Sequence, residues 1–125
     1  MICGIGMDIV EVCRVEKTIK KWGKKFTNRY FSESEVNYCD KMALPAIHYA
    51  ARFAVKESFI KAIGGGYSDG LQMRDVETIH NEQGRPVLKL HQKFKKIVDE
   101  RKIVDIHVTI SHTRKNAVAC VVLEI

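Results

Sequence analysis

At 125 residues, 46% hydrophobic and 29% charged, the chain has the make-up of one soluble globular domain with room for a core. No stretch approaches the ~20 apolar residues of a membrane span, and the opening MICGIGMD has no basic flank and Ile2 instead of glycine, which argues against a signal peptide or N-terminal lipid and for a cytoplasmic setting. Twenty-one Lys and Arg against fifteen Asp and Glu leave a net charge of +6, which suits an anionic partner without choosing among nucleic acid, membrane, small ligand and acidic protein.

Ile2, Ile5 and Ile9 with Gly4 and Gly6 predict a first strand whose glycines permit close backbone approach. Arg14 to Trp22 reads as a basic amphipathic helix, with Val15, Ile19 and Trp22 spaced four and three apart. Lys17, Lys20, Lys21, Lys24 and Lys25 decorate it and its continuation past Gly23. Ser32 followed by Glu35 has the form of a capping box and predicts a short helix through Cys39. Pro45 opens the longest helix, which runs towards Ile63 and stops at Gly64, with Ala50, Ala51, Ala54 and Ala62 keeping parts of its surface small.

Beyond the triple glycine the pattern changes. Val76–Ile79 and Val87–Leu90 read as strands joined by the turn NEQGRP, which ends at Pro86. A basic helix from about Gln92 to Arg101 follows. IHVTISH and AVACVVLEI then form a hairpin around TRKN. Grouped helices and hairpin-paired strands argue an α+β fold, residues 1–125 forming a single domain. The four cysteines make no C-x-x-C pair and read as free thiols, with Cys3 and Cys120 expected in the core.

Glu57 and Lys61, four residues apart, project from one side of the long helix. By itself that spacing is an ordinary exposed ion pair. With Asp8 of the first strand on the same side, it becomes two hard oxygen ligands and one ammonium, a set suited to phosphate chemistry. Magnesium is the fitting ion, because it takes one or two carboxylates and fills its shell with water and phosphate oxygens. Glu11, three residues on, falls on the opposite face if the strand continues. Arg52, Lys56 and Lys61 are anion-binding candidates on one helix, while the glycines after Ile63 read first as a helix C-cap. Neither a Walker A motif nor a complete G-x-G-x-x-G is present. Ser111 and His112 are adjacent on a strand and face opposite sides, so a serine hydrolase is not supported, and His107 and His112 differ by five.

Four islands carry a resemblance: GIGMDIVEVCR, ARFAVKESFIKAIGGG, GRPVL and HVTISHT, the last followed by AVACVVLE. In this order they resemble the holo-acyl-carrier-protein synthase family, the small stand-alone 4'-phosphopantetheinyl transferases, over nearly the whole chain. Ser58 stands where alanine is commoner. The resemblance implies transfer of the phosphopantetheine arm of coenzyme A to a serine of an acyl carrier protein, releasing adenosine 3',5'-bisphosphate. It implies that Asp8 and Glu57 ligate magnesium and that Lys61 contacts the pyrophosphate. Arg52, Gly64, Gly65, Pro86, His107, Ser111 and His112 become nucleotide-pocket candidates. Arg14, Lys17 and Lys21 would dock the acidic carrier protein, and the assembly would be a homotrimer with sites at the seams. Whether Glu57 or water takes the serine proton is left open. The competing reading, a basic α+β nucleic-acid module without catalysis, lacks a recognised nucleic-acid motif. Neither nucleic acid nor a membrane is expected as partner.

Overall fold

The computed structural model describes residues 1–64 and 71–125. Its elements are β1 (Ile2–Glu11), α1 (Val12–Trp22), α2 (Lys24–Tyr30), α3 (Glu33–Asp40), α4 (Pro45–Ala62), a 3-10 turn (Met73–Asp75), β2 (Val76–His80), β3 (Pro86–Leu90), α5 (Gln92–Glu100), β4 (Asp105–His112) and β5 (Asn116–Glu124). This is the α+β arrangement that grouped helices and hairpins predict. The closing hairpin β4–β5 takes β1 on its other side, giving an antiparallel sheet of order β1-β5-β4, and β2 and β3 form a separate antiparallel pair.

α4 organises the molecule. Proline stands in its first turn, and Gly64 follows its C-cap at φ 96°, a left-handed conformation that glycine adopts without a Cβ penalty. Buried side chains occupy most of its circumference, as expected of a helix inside the core rather than on it. Its first half packs Tyr49, Ala50 and Ala51 against Val12, Val15, Phe31 and Cys39. Its second half packs Ala54, Val55, Phe59 and Ala62 against Val76, Phe94, Ala119, Val121 and Leu123.

The glycines of β1 decide how close the strand comes. A β-carbon on Gly6 would lie 1.8 Å from the carbonyl oxygen of Ser58, and one on Gly4 would lie 2.1 Å from that of Ala62. Backbone therefore rests on backbone. The buried Ser58 hydroxyl donates to the Ala119 carbonyl at 3.1 Å, so serine in place of alanine ties α4 to β5. Strand alternation turns Gly4, Gly6 and Asp8 towards α4 and leaves Ile5, Met7 and Ile9 facing outward, 61%, 60% and 65% exposed.

Two details depart from the sequence reading. Cys3 is exposed and Cys120 only half-buried, since both lie on the outward face; the core thiol is Cys39, which burial pushes up to about 12. Lys56 is no anion-binding group. It is wholly buried, and its Nζ donates to Glu35 Oε1 at 2.7 Å, to the Met73 carbonyl at 3.0 Å and to the Val76 carbonyl. Burial lowers its pKa, and the Glu35 carboxylate opposes that fall.

Candidate active site

The close approach of β1 to α4 sets Asp8 beside the Glu57–Lys61 side of the helix. Lys61 Nζ lies 3.0 Å from Asp8 Oδ1 and donates to the Met7 carbonyl at 3.0 Å. Glu57 is half-buried, and its pKa is raised first by that burial and then by the negative charge of Asp8, while Lys61 opposes the rise. Asp8 and Glu57 line one cleft of ≈ 530 Å³ with Glu11, Arg14, Thr18, Phe26, Phe53 and Asn116 among its other walls. Glu11, still paired with Asn116 in β1, shares this cleft despite its parity, because the cleft takes in residues of both faces at the end of the strand, Ile9 and Val10 included.

The donor set fits magnesium. The cleft offers carboxylate oxygens and neither histidine nor cysteine, which suits a hard cation and not zinc. Two carboxylates whose charges hinder one another, with one ammonium between them, also have a use for a further positive charge.

Arg14 stands at the mouth of this cleft, and Arg14, Lys17 and Lys21 recur on one exposed face of α1. The cleft continues into an aromatic groove lined by Trp22, Phe26, Tyr30 and Phe53 and flanked by Lys25 and Arg29. Trp22, expected on the apolar stripe of α1, is 53% exposed and belongs to this groove.

The nucleotide-pocket candidates lie elsewhere. Arg52 is nine residues from Lys61, two and a half helical turns, and so occupies the opposite side of α4. Its guanidinium sits 4.1 Å above the Tyr38 ring, and its buried Nε has no hydrogen-bond partner among the described residues. Tyr38 also meets the rings of His80 at 5.0 Å and His48 at 5.9 Å, and His48 meets His112 at 5.9 Å. Pro86 opens β3 opposite His80. Burial, followed by the charge of Arg52, lowers the pKa of His48 and His80. Tyr38, His48 and His80 escaped the sequence reading; the one available signal was His48, a single turn before Arg52 on the same helix.

Of the remaining candidates, Gly64 is exposed past the end of α4, and Gly65 lies outside the described residues. Ser111 is exposed on β4. His107 is brought to Glu124, not to His112.

The family model for the 4'-phosphopantetheinyl transferase superfamily matches residues 4–121. A holo-[acyl-carrier-protein] synthase of Syntrophus aciditrophicus is 47% identical over 124 residues, covering 99% of this chain and 97% of that protein. The crystal structure of holo-[acyl-carrier-protein] synthase from Neisseria meningitidis superposes with a TM-score of 0.91 at 31% identity, covering 99% of both chains. The Helicobacter pylori holo-[acyl-carrier-protein] synthase in complex with coenzyme A superposes with a TM-score of 0.83 at 32% identity, covering 96% of this chain and 99% of that one. With its fold and nearly its whole length matched, the chain belongs to the holo-[acyl-carrier-protein] synthase family of 4'-phosphopantetheinyl transferases.

Proposed function

We propose that this chain transfers the 4'-phosphopantetheine group of coenzyme A to a serine hydroxyl of an acyl carrier protein and releases adenosine 3',5'-bisphosphate. One observation carries the reading: Lys61 pairs with Asp8, 53 residues away in sequence, and Asp8 lines a cleft together with Glu57 and Arg14. Relatives named holo-[acyl-carrier-protein] synthase, and solved relatives in complex with coenzyme A, support the same substrates.

In the reaction the serine oxygen bonds to the pantetheine-bearing phosphorus as the bond from that phosphorus to the bridging pyrophosphate oxygen breaks. Positioning and neutralisation of charge do most of the work in such transfers. A magnesium ion held by Asp8 and Glu57 would supply charge neutralisation at the pyrophosphate oxygens. Lys61, with two of its three protons given to Asp8 and Met7, keeps one for the leaving phosphate. The serine proton passes to Glu57 or to a water beside it. The basic face of α1 and the aromatic groove beside it receive the acidic carrier protein.

Arg52, whose Nε has no partner among the described residues, suits a phosphate of the nucleotide, with His112 and Pro86 as further candidates for that pocket. It lies across α4 from Asp8 within one chain. A homotrimer with its sites at the seams between copies would unite the two sides, and the outward residues Ile5, Met7 and Ile9 offer an apolar surface for such packing.

The test is to incubate the protein with coenzyme A, magnesium and an apo carrier protein and to weigh the carrier. A gain of one phosphopantetheine supports the reading. No gain across a range of salt, together with tight RNA or DNA binding, supports the nucleic-acid module instead.

A further inference from the structure

A second cluster of ligating groups sits on the outward face of the sheet. Asp105 of β4 lies directly opposite Glu124 of β5, and Glu124 in turn faces Ile2 of β1. That is six residues along β1 from Asp8, or roughly 20 Å at the rise of an extended strand. His107, two residues on from Asp105, shares its face. One ligand atom from each of Asp105, His107 and Glu124 lies within 4.8 Å of the others.

The arrangement breaks a rule of sheet chemistry. Like charges directly opposite one another across antiparallel strands destabilise the pair. Among the described residues the one ionic partner of Glu124 is His107, and Asp105 has none. Two carboxylates are thus concentrated at one end of the sheet with a single imidazole beside them. Rigid strands hold them there, at cross-strand and two-residue spacings that aim all three side chains from one surface.

We propose that Asp105, His107 and Glu124 form a binding site for a divalent transition-metal ion of the zinc or cobalt class, with solvent completing its coordination. An imidazole beside two carboxylates is the mixed donor set such ions prefer, whereas magnesium favours the all-oxygen pair at Asp8 and Glu57. A bound ion joins β4 to β5 at the end where β1 begins. It also cancels the two negative charges bordering the apolar face of Ile2 and Ile5. All three ligands belong to one chain, so the site depends neither on assembly nor on the transferase reading.

The experiment is to titrate cobalt(II) into the full chain in excess magnesium, following visible d–d absorbance and Tm. The expected result is one cobalt per chain and a Tm that climbs with the logarithm of free cobalt. His107→Ala and Asp105→Asn, both at exposed positions, should each weaken binding by at least ~10-fold. Asp8→Ala should leave the absorbance unchanged. Absorbance that survives His107→Ala, or vanishes in Asp8→Ala, would overturn the assignment, as would the absence of stoichiometric binding at millimolar cobalt.

Discussion

Lys61 Nζ reaches Asp8 Oδ1 at 3.0 Å although the ammonium side chain is 53% exposed and the carboxylate 19%. A pair this open to solvent contributes at most ~1 kcal/mol to stability. Asp8→Ala should therefore fold with a Tm within a few degrees of the parent, while transfer to the carrier falls by at least ~10²-fold because a charge-positioning group is lost. Circular dichroism and the carrier mass assay separate the two effects. Unchanged turnover would remove Asp8 from the site.

Substitution at Gly6 should behave in the opposite way. A methyl group there meets the Ser58 carbonyl, which is backbone and cannot swing aside. Gly6→Ala should cost ~1–3 kcal/mol or more, as overpacking does. Gly64→Ala meets nothing within 4 Å, although φ is 96° there, and should cost only ~1 kcal/mol. Thermal unfolding of both variants checks the order, and a milder effect at Gly6 would mean that the strand can slide off the helix.

Lys56 and Glu35 are both fully buried. Lys56→Met leaves the Glu35 carboxylate without its counter-ion and should destabilise by ~3–5 kcal/mol. The double variant Lys56→Met, Glu35→Gln should recover part of that loss in denaturant titrations. If the single and double variants are equally unstable, the packing of the lysine stem matters and its charge does not.

Acid should unfold the protein in part through Glu77. Burial alone would raise its pKa, but hydrogen bonds from Ser32, Ser34 and His91 hold the folded carboxyl at about 2, below its ordinary 4.5. A group depressed on folding stabilises above its unfolded pKa and loses that contribution as pH falls through the folded one. The window is therefore about 4.5 down to 2, and the full contribution is roughly 3 kcal/mol. Glu77→Gln should flatten this limb of the curve of stability against pH. A parallel curve, shifted but equally steep, would assign the acid sensitivity elsewhere.

Arg14→Glu should raise the apparent KM for the carrier protein by ~10-fold or more, a few times the value of one exposed charge because the sign is reversed. The KM for coenzyme A should stay constant, and the defect should shrink with salt. An equal loss for both substrates would place Arg14 on the nucleotide instead.

The local signals in the sequence were faithful. Proline at the start of the long helix and glycine after it mark α4 to within a residue, and Ser32 with Glu35 forms the capping box that the pattern announces. Hairpin pairing followed from turn residues and alternation. The glycines of β1 announced its close approach to α4, but most of what three-dimensional packing decides was not legible. That Lys56 turns inward to Glu35 while Lys61 turns outward to Asp8 depends on what packs against each side of α4, and both residues look alike in a linear string. Tyr38, His48 and His80 converge on Arg52 from three elements, so no spacing rule joins them. Cys3 was misplaced because an apolar neighbourhood does not reveal which face of a strand will be covered.

Glu35 links parts of the chain whose unfolding would otherwise be independent. Its Oε1 accepts from the Ser32 amide at 3.0 Å and from Lys56 at 2.7 Å, while its Oε2 accepts from the Thr78 amide at 3.1 Å. The start of α3, the middle of α4 and the edge of β2 thus share a single anchor. Fraying of this eight-residue helix cannot begin at its first turn without exposing a lysine charge in the interior and freeing a strand amide. Its amide protons should accordingly exchange with solvent at the pace of global opening, far slower than so short a helix would alone.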